Sequence, residues 1–113
     1  MKPLEFVKKP WGNFRQFTLN ELTTVKTLTI DIGQELSLQT HMSRSEYWYV
    51  LIGKPLITQG DTVFEAEPHQ EIFIKQGQKH RIAAPKNQVV ILEIAHGHFD
   101  ENDIIRLEDK YNR

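Results

Sequence analysis

Apolar residues recur at alternate positions in short runs, and turn residues cut these runs roughly every eight to twelve positions, the spacing of an all-β sandwich or barrel. In the run 24–32, Lys26, Leu28, Ile30 and Ile32 share one face, Thr27, Thr29 and Asp31 share the other, and Gly33 ends the strand. The run 36–41 puts Leu36 and Leu38 on one side and Ser37, Gln39 and His41 on the opposite side, because strand side chains alternate. An aromatic and β-branched strand is predicted over 46–52. Residues 56–58 and 62–64 flank Gln59-Gly60-Asp61, whose central glycine suits a hairpin position of positive φ. Strands 71–75 and 80–83 flank Gln76-Gly77-Gln78, and the run 89–94 is apolar on both faces, as a central strand is. At the end, Asp100 caps a short helix through Asp103 and Ile104 to Arg106, or residues 107–111 form an extended arm. About eight antiparallel strands of this kind predict a closed double sheet, a jelly-roll barrel.

Length and charge then narrow the function. The chain has 113 residues, enough for one domain spanning 1–113 with a core of its own. It has no cysteine, which removes disulfides, thiolate zinc sites and a thiol nucleophile, and which fits a reducing compartment. Fourteen basic residues against fifteen acidic ones leave no footprint for a polyanion, so nucleic acid is not an expected partner. The apolar runs are far shorter than the ~20 residues of a membrane helix, and residues 1–6 lack a signal-peptide core. The expectation is a cytoplasmic domain without a membrane partner.

One polar cluster stands out against this scaffold: Gln39, His41 and Glu46, with His80 following a glycine turn. Gln39 and His41 point the same way, Glu46 joins them if the next strand lies alongside, and His80 arrives from a neighbouring hairpin. An amide oxygen, two imidazoles and a carboxylate suit one divalent ion, Zn, Mn, Fe, Co or Ni, with positions left open for water or substrate. The same residues also read as hydrogen-bonded strand polars. His69, His96 and His98 fall in turn-like or strand-end segments and read as surface histidines.

Gly33, Gln39, His41, Glu46 and Gly53, followed by Gly77 and His80, resemble the two cupin motifs, with Gln39 where most cupins have the first histidine. More narrowly, Leu36-Ser37-Leu38-Gln39, His41, Arg44, Glu46 and Trp48, the opening Lys9-Pro10-Trp11-Gly12 and the ending 103–113 resemble the C-terminal cupin domain of type II phosphomannose isomerases. The resemblance implies a double-stranded β-helix (the cupin barrel) and makes Gln39, His41, Glu46 and His80 the metal ligands. It offers Arg44 to the substrate and makes Arg106, Tyr111 and Arg113 pocket-closing or structural. Met42, Ser43 and Tyr47 replace histidines common in the family, and Lys75, Ala84, Ala95 and Asn112 depart from it elsewhere.

The implied reaction interconverts mannose 6-phosphate and fructose 6-phosphate through an enediol. A metal suits the oxyanion, and the planar fork of Arg44 suits a phosphate. Glu93, a carboxylate inside an apolar strand, is either the general base with a raised pKa or a buried partner of Arg81, Lys75 or Arg106. Trp48 and Trp11 line a sugar pocket or fill the core. Neither a Gly-rich nucleotide loop nor a large α/β domain is present for the nucleotidyl transfer that usually accompanies this domain. A non-catalytic cupin binding a sugar or sugar phosphate, a cupin dioxygenase and a sugar-nucleotide isomerase or epimerase are the competing readings. Exposed edge strands and the Phe6-Val7 arm predict a symmetric homodimer.

Overall fold

The computed structural model describes residues 3–111. Eleven strands are present among them: β1 (Val7–Lys9), β2 (Gly12–Phe14), β3 (Thr23–Ile30), β4 (Leu38–Thr40), β5 (Arg44–Ile52), β6 (Leu56–Gln59), β7 (Thr62–Glu65), β8 (Glu71–Ile74), β9 (His80–Ala83), β10 (Val89–Gly97) and β11 (Ile105–Glu108). The protein is all-β. A four-stranded antiparallel sheet, β3-β10-β5-β8, and a five-stranded antiparallel sheet, β11-β4-β9-β6-β7, supply the two layers, and β1 pairs with β2 in a two-stranded sheet.

Parity decides what each sheet buries. In the first sheet Ile30 lies opposite Val89, Leu28 opposite Ile91, and Ile91 opposite Val50. These residues meet Ile57 and Ile82 of the second sheet in one buried cluster with Trp48, Ile72 and Ile74. Each fully buried aliphatic of this kind contributes about 1.5–3 kcal/mol. β10 sits between β3 and β5, as its two apolar faces require. The β6–β7 hairpin turns at Gly60, whose φ is 59°.

Three expectations need correction, and one pairing was not foreseen. No C-terminal helix forms: Asp100 caps only a turn, through Asn102 N, and the following β-branched residues extend into β11 alongside β4. Residues 71–74 and 80–83 belong to different sheets, because Gly77 crosses between the layers and donates its N–H to His41 O at 2.7 Å. The strand at 24–32 stops at Ile30, where a turn closed by Gln34 N on Asp31 O takes over. The pairing of Val7–Lys9 with Gly12–Phe14 is new. That hairpin belongs to an N-terminal segment in which Arg15 lies over Phe6 and Phe17, and Phe17 packs on Tyr47. Among the described residues no helix is long and apolar enough to cross a membrane.

Candidate metal centre

The inner face of the first sheet changes character along its length. Beyond the Ile30–Val89 and Leu28–Ile91 pairs the next row is Lys26 opposite Glu93 opposite Trp48, and one row further Ala95 lies opposite Glu46. In the second sheet Gln39, His80 and Gln59 form a row of direct partners. Two polar rows thus face each other at one end of the barrel, and His41 enters just beyond β4. Gly97, opposite Arg44, is required here: its φ is 110° and a Cβ would lie 2.7 Å from Ser43 O.

His41, Glu46 and His80 are buried, and each offers a ligand atom within 4.8 Å of the others. Their hydrogen bonds fix the imidazoles. His41 Nδ1 donates to Asp103 O at 2.6 Å and His80 Nδ1 donates to Gln78 O at 2.9 Å, since a carbonyl only accepts. Both Nε2 atoms therefore turn a lone pair inward. His80 Nε2 lies 3.7 Å from Glu46 Oε1 and has no hydrogen-bond partner, although it is fully enclosed. Two acceptors facing each other in an enclosed site call for a cation or a shared proton between them, and the donor set fits a divalent ion.

Two donors hold Glu46, and His41 lies beside it. Trp48 Nε1 donates to Oε1 at 3.0 Å, Arg44 Nε donates to Oε2 at 3.1 Å, and His41 Nε2 lies 3.4 Å from Oε2. Burial pushes this carboxyl up, but His80, a hydrogen bond from Glu93, His41 and Trp48 outweigh it and hold the pKa below the ordinary value. Burial lowers the pKa of His80, and the opposing pull of Glu46 and Gln78 does not restore it. Glu93 goes the other way: burial, then the charge of Glu46 and the hydrogen bond to it, push it up to about 8, with Lys26 and Arg44 opposing. Neighbouring carboxyls have been driven apart, one ionised and one protonated near neutrality.

Arg44 is buried against the cluster rather than exposed in a turn. Its Nη2 donates to His41 Nε2 at 3.1 Å, its Nη1 to Asp100 O at 3.3 Å, and its guanidinium lies 4.2 Å over the Phe99 ring. Gln39 shares the His80 face and accepts from Ser37 Oγ at 2.9 Å. Trp48 is in the core behind Glu46, where its indole N–H serves the carboxylate. Arg106 is exposed on β11 opposite Gln39, and Arg113 lies outside the described residues. Trp11 is 72% exposed beside β2, outside the cluster.

Glu93 pairs with none of the three cations expected for it. Its partner is Lys26, 3.6 Å away, because β3 sets them opposite; a lone charge on the apolar face of that strand was the available signal. Arg81 instead anchors β11, with Nη1 donating to Glu108 Oε1 at 2.9 Å. The contacts made by Phe99, Asp100 and Asp103 had no local signature, since each joins positions more than fifty residues apart. Asp103 also accepts from Met42 N and Ser43 N at 2.9 Å each, which lowers its pKa and clamps the bend after His41.

A separate cavity of about 500 Å³ lies beside β8, lined by Arg15, Tyr47, Gln59, Phe64 and Glu71 among others. It includes none of the cluster, and Arg15 is already paired there with Glu71.

Two antiparallel sheets closing over a buried His-Glu-His group define a cupin. A cupin-2 domain from Rhodospirillum rubrum superposes with a TM-score of 0.65, at 20% identity over 77% of this chain and 64% of that one, a likeness of fold. The family model for the mannose-6-phosphate isomerase C-terminal region matches residues 2–109, and the chain belongs to that family. It is 36% identical over 109 residues to the xanthan biosynthesis protein XanB of Xanthomonas campestris and 32% identical to mannose-1-phosphate guanylyltransferase ManC of Salmonella typhimurium. Each alignment covers 95% of this chain, which spans 23% of the relative's length.

Proposed function

We propose that the chain is a divalent-metal-dependent sugar-phosphate isomerase that interconverts mannose 6-phosphate and fructose 6-phosphate. The observation that carries this reading is the facing pair of acceptors, His80 Nε2 and Glu46 Oε1, beside a carboxyl whose pKa of about 8 suits proton exchange near neutral pH. His41, Glu46 and His80 would hold the metal, with Gln39 as the fourth donor. Bound there, a divalent ion supplies a Lewis acid for the oxygens on C1 and C2.

The remaining work falls to the chain. Isomerisation removes the proton on C2, passes through an enediol and returns a proton to C1, with no net oxidation. Glu93 takes the first proton as carboxylate and gives one back as acid, and Lys26 at 3.6 Å stabilises its charged form. Arg44 holds the anionic substrate by its planar fork. Trp48 positions Glu46 through the indole N–H.

A coupled assay with metal-loaded protein tests the reading. Mannose 6-phosphate turnover is expected, with loss in Glu93→Gln and in His80→Ala. Saturable binding without turnover in the loaded wild type would overturn it in favour of a sugar-phosphate-binding cupin. Oxygen uptake, or activity on a nucleotide sugar alone, would replace it with another cupin chemistry.

A further inference from the structure

His41 Nε2 has one lone pair and two claimants. With Nδ1–H committed to Asp103 O, the only acceptor position left on the ring is Nε2, and Arg44 Nη2 fills it at 3.1 Å. The same guanidinium donates through Nε to Glu46 Oε2 at 3.1 Å. It therefore sits on two of the three groups that would hold a metal. We propose that Arg44 and the divalent ion exclude each other on His41 Nε2, so that loading the metal releases Arg44 to bind an oxyanion, and anionic ligands bind in order, after the metal.

This rests on the metal-site reading above and adds a regulation to it. Two contacts outside the cluster would keep the released guanidinium close: Nη1 donates to Asp100 O at 3.3 Å and its face lies 4.2 Å over Phe99. Lys26 Nζ, 4.7 Å from the same ring, places a second cation beside it. Freed of His41, the Nη2 donor is available to an anion. By linkage, whatever the metal does for anion affinity the anion does for metal affinity.

Metal titration of the stripped protein tests the idea. Arg44→Met is expected to bind Zn²⁺ about tenfold more tightly than wild type, the effect of removing one charge-assisted hydrogen bond that the ion must otherwise break. Sulfate, a weak metal ligand, is expected to bind metal-loaded wild type at least about tenfold more tightly than stripped wild type, and this gain is expected to vanish in Arg44→Met. Equal or weaker Zn²⁺ binding by Arg44→Met overturns the proposal, as does a sulfate gain that survives the substitution.

A measurement on wild type covers the case in which the variant fails to fold. The Arg44 Nε–H resonance is expected to move or lose exchange protection on one equivalent of Zn²⁺, while that of Arg81, whose Nε donates to Leu36 O, stays put. An unmoved Arg44 signal at saturation overturns the proposal while leaving the metal site standing. Failure of wild type and variant alike to bind any divalent ion would overturn the metal-site reading itself.

Discussion

Replacing Glu93 with Gln removes a group whose protonation the fold controls, and the consequence for stability has a definite sign. Glu93 is 5% exposed and its pKa is pushed from the ordinary 4.5 to about 8, by burial first and by Glu46 next. Between those values the folded protein holds a proton that the unfolded chain has released. The stability tied to this group is therefore fully present below about pH 4.5 and is lost as pH rises through about 8. At about 1.4 kcal/mol per pH unit the ceiling on that loss is about 5 kcal/mol, and relaxation around a newly ionised carboxylate brings the expected value to about 2–4 kcal/mol. Glutamine keeps the shape and the donor toward Glu46 but cannot ionise. Urea unfolding of both proteins from pH 5 to 9, at constant ionic strength and with chelator present, gives the difference in stability at each pH. That difference cancels the slopes of other groups, including His80, whose depressed pKa costs stability as pH falls below 6.5. Glu93→Gln is expected to gain on wild type steadily up to about pH 8 and to level off above it. Two curves that run parallel within about 0.5 kcal/mol would refute the assignment of a protonated buried Glu93.

Other substitutions test the supports of the site. Trp48→Phe keeps the buried ring but deprives Glu46 Oε1 of its 3.0 Å donor, and is expected to cost about 2 kcal/mol by urea unfolding. Asp103→Ala leaves Met42 N and Ser43 N without their acceptors, and is expected to speed tryptic cleavage after Arg106 and Lys110 on the loosened arm. Gly97→Ala forces a Cβ to 2.7 Å from Ser43 O at a φ of 110°, and is expected to lower stability by about 2 kcal/mol or more, read as a fall of several degrees in Tm.

The parts of this fold that alternate were legible in the sequence. Period-two patterning set Leu28 and Ile30 on one face, the face that the core takes, and the doubly apolar 89–94 run had to be central. The same parity grouped Ser37, Gln39 and His41. It could not tell that residues 71–74 and 80–83 part company at Gly77, because a tight glycine turn looks alike whether it returns in one sheet or crosses to the other. Nor could it decide between helix and strand after Asp100, where a run of a few residues has too little periodicity and the answer came from the free edge of β4.

The site divides along the same line. Identity and spacing found His41, Glu46 and His80, since these donor atoms carry chemistry wherever they stand. What turns them into a site is long-range: Asp103 O fixes the His41 tautomer from 62 positions away, and Lys26 meets Glu93 only because β3 pairs with β10. Arg44 shows the limit most clearly. Its place between His41 and Glu46 in the sequence kept it near the cluster, but only the tertiary arrangement sets its guanidinium on the very atoms a metal needs. Competition between a side chain and an ion for one lone pair is a property of distances, and no pattern of residue types contains it.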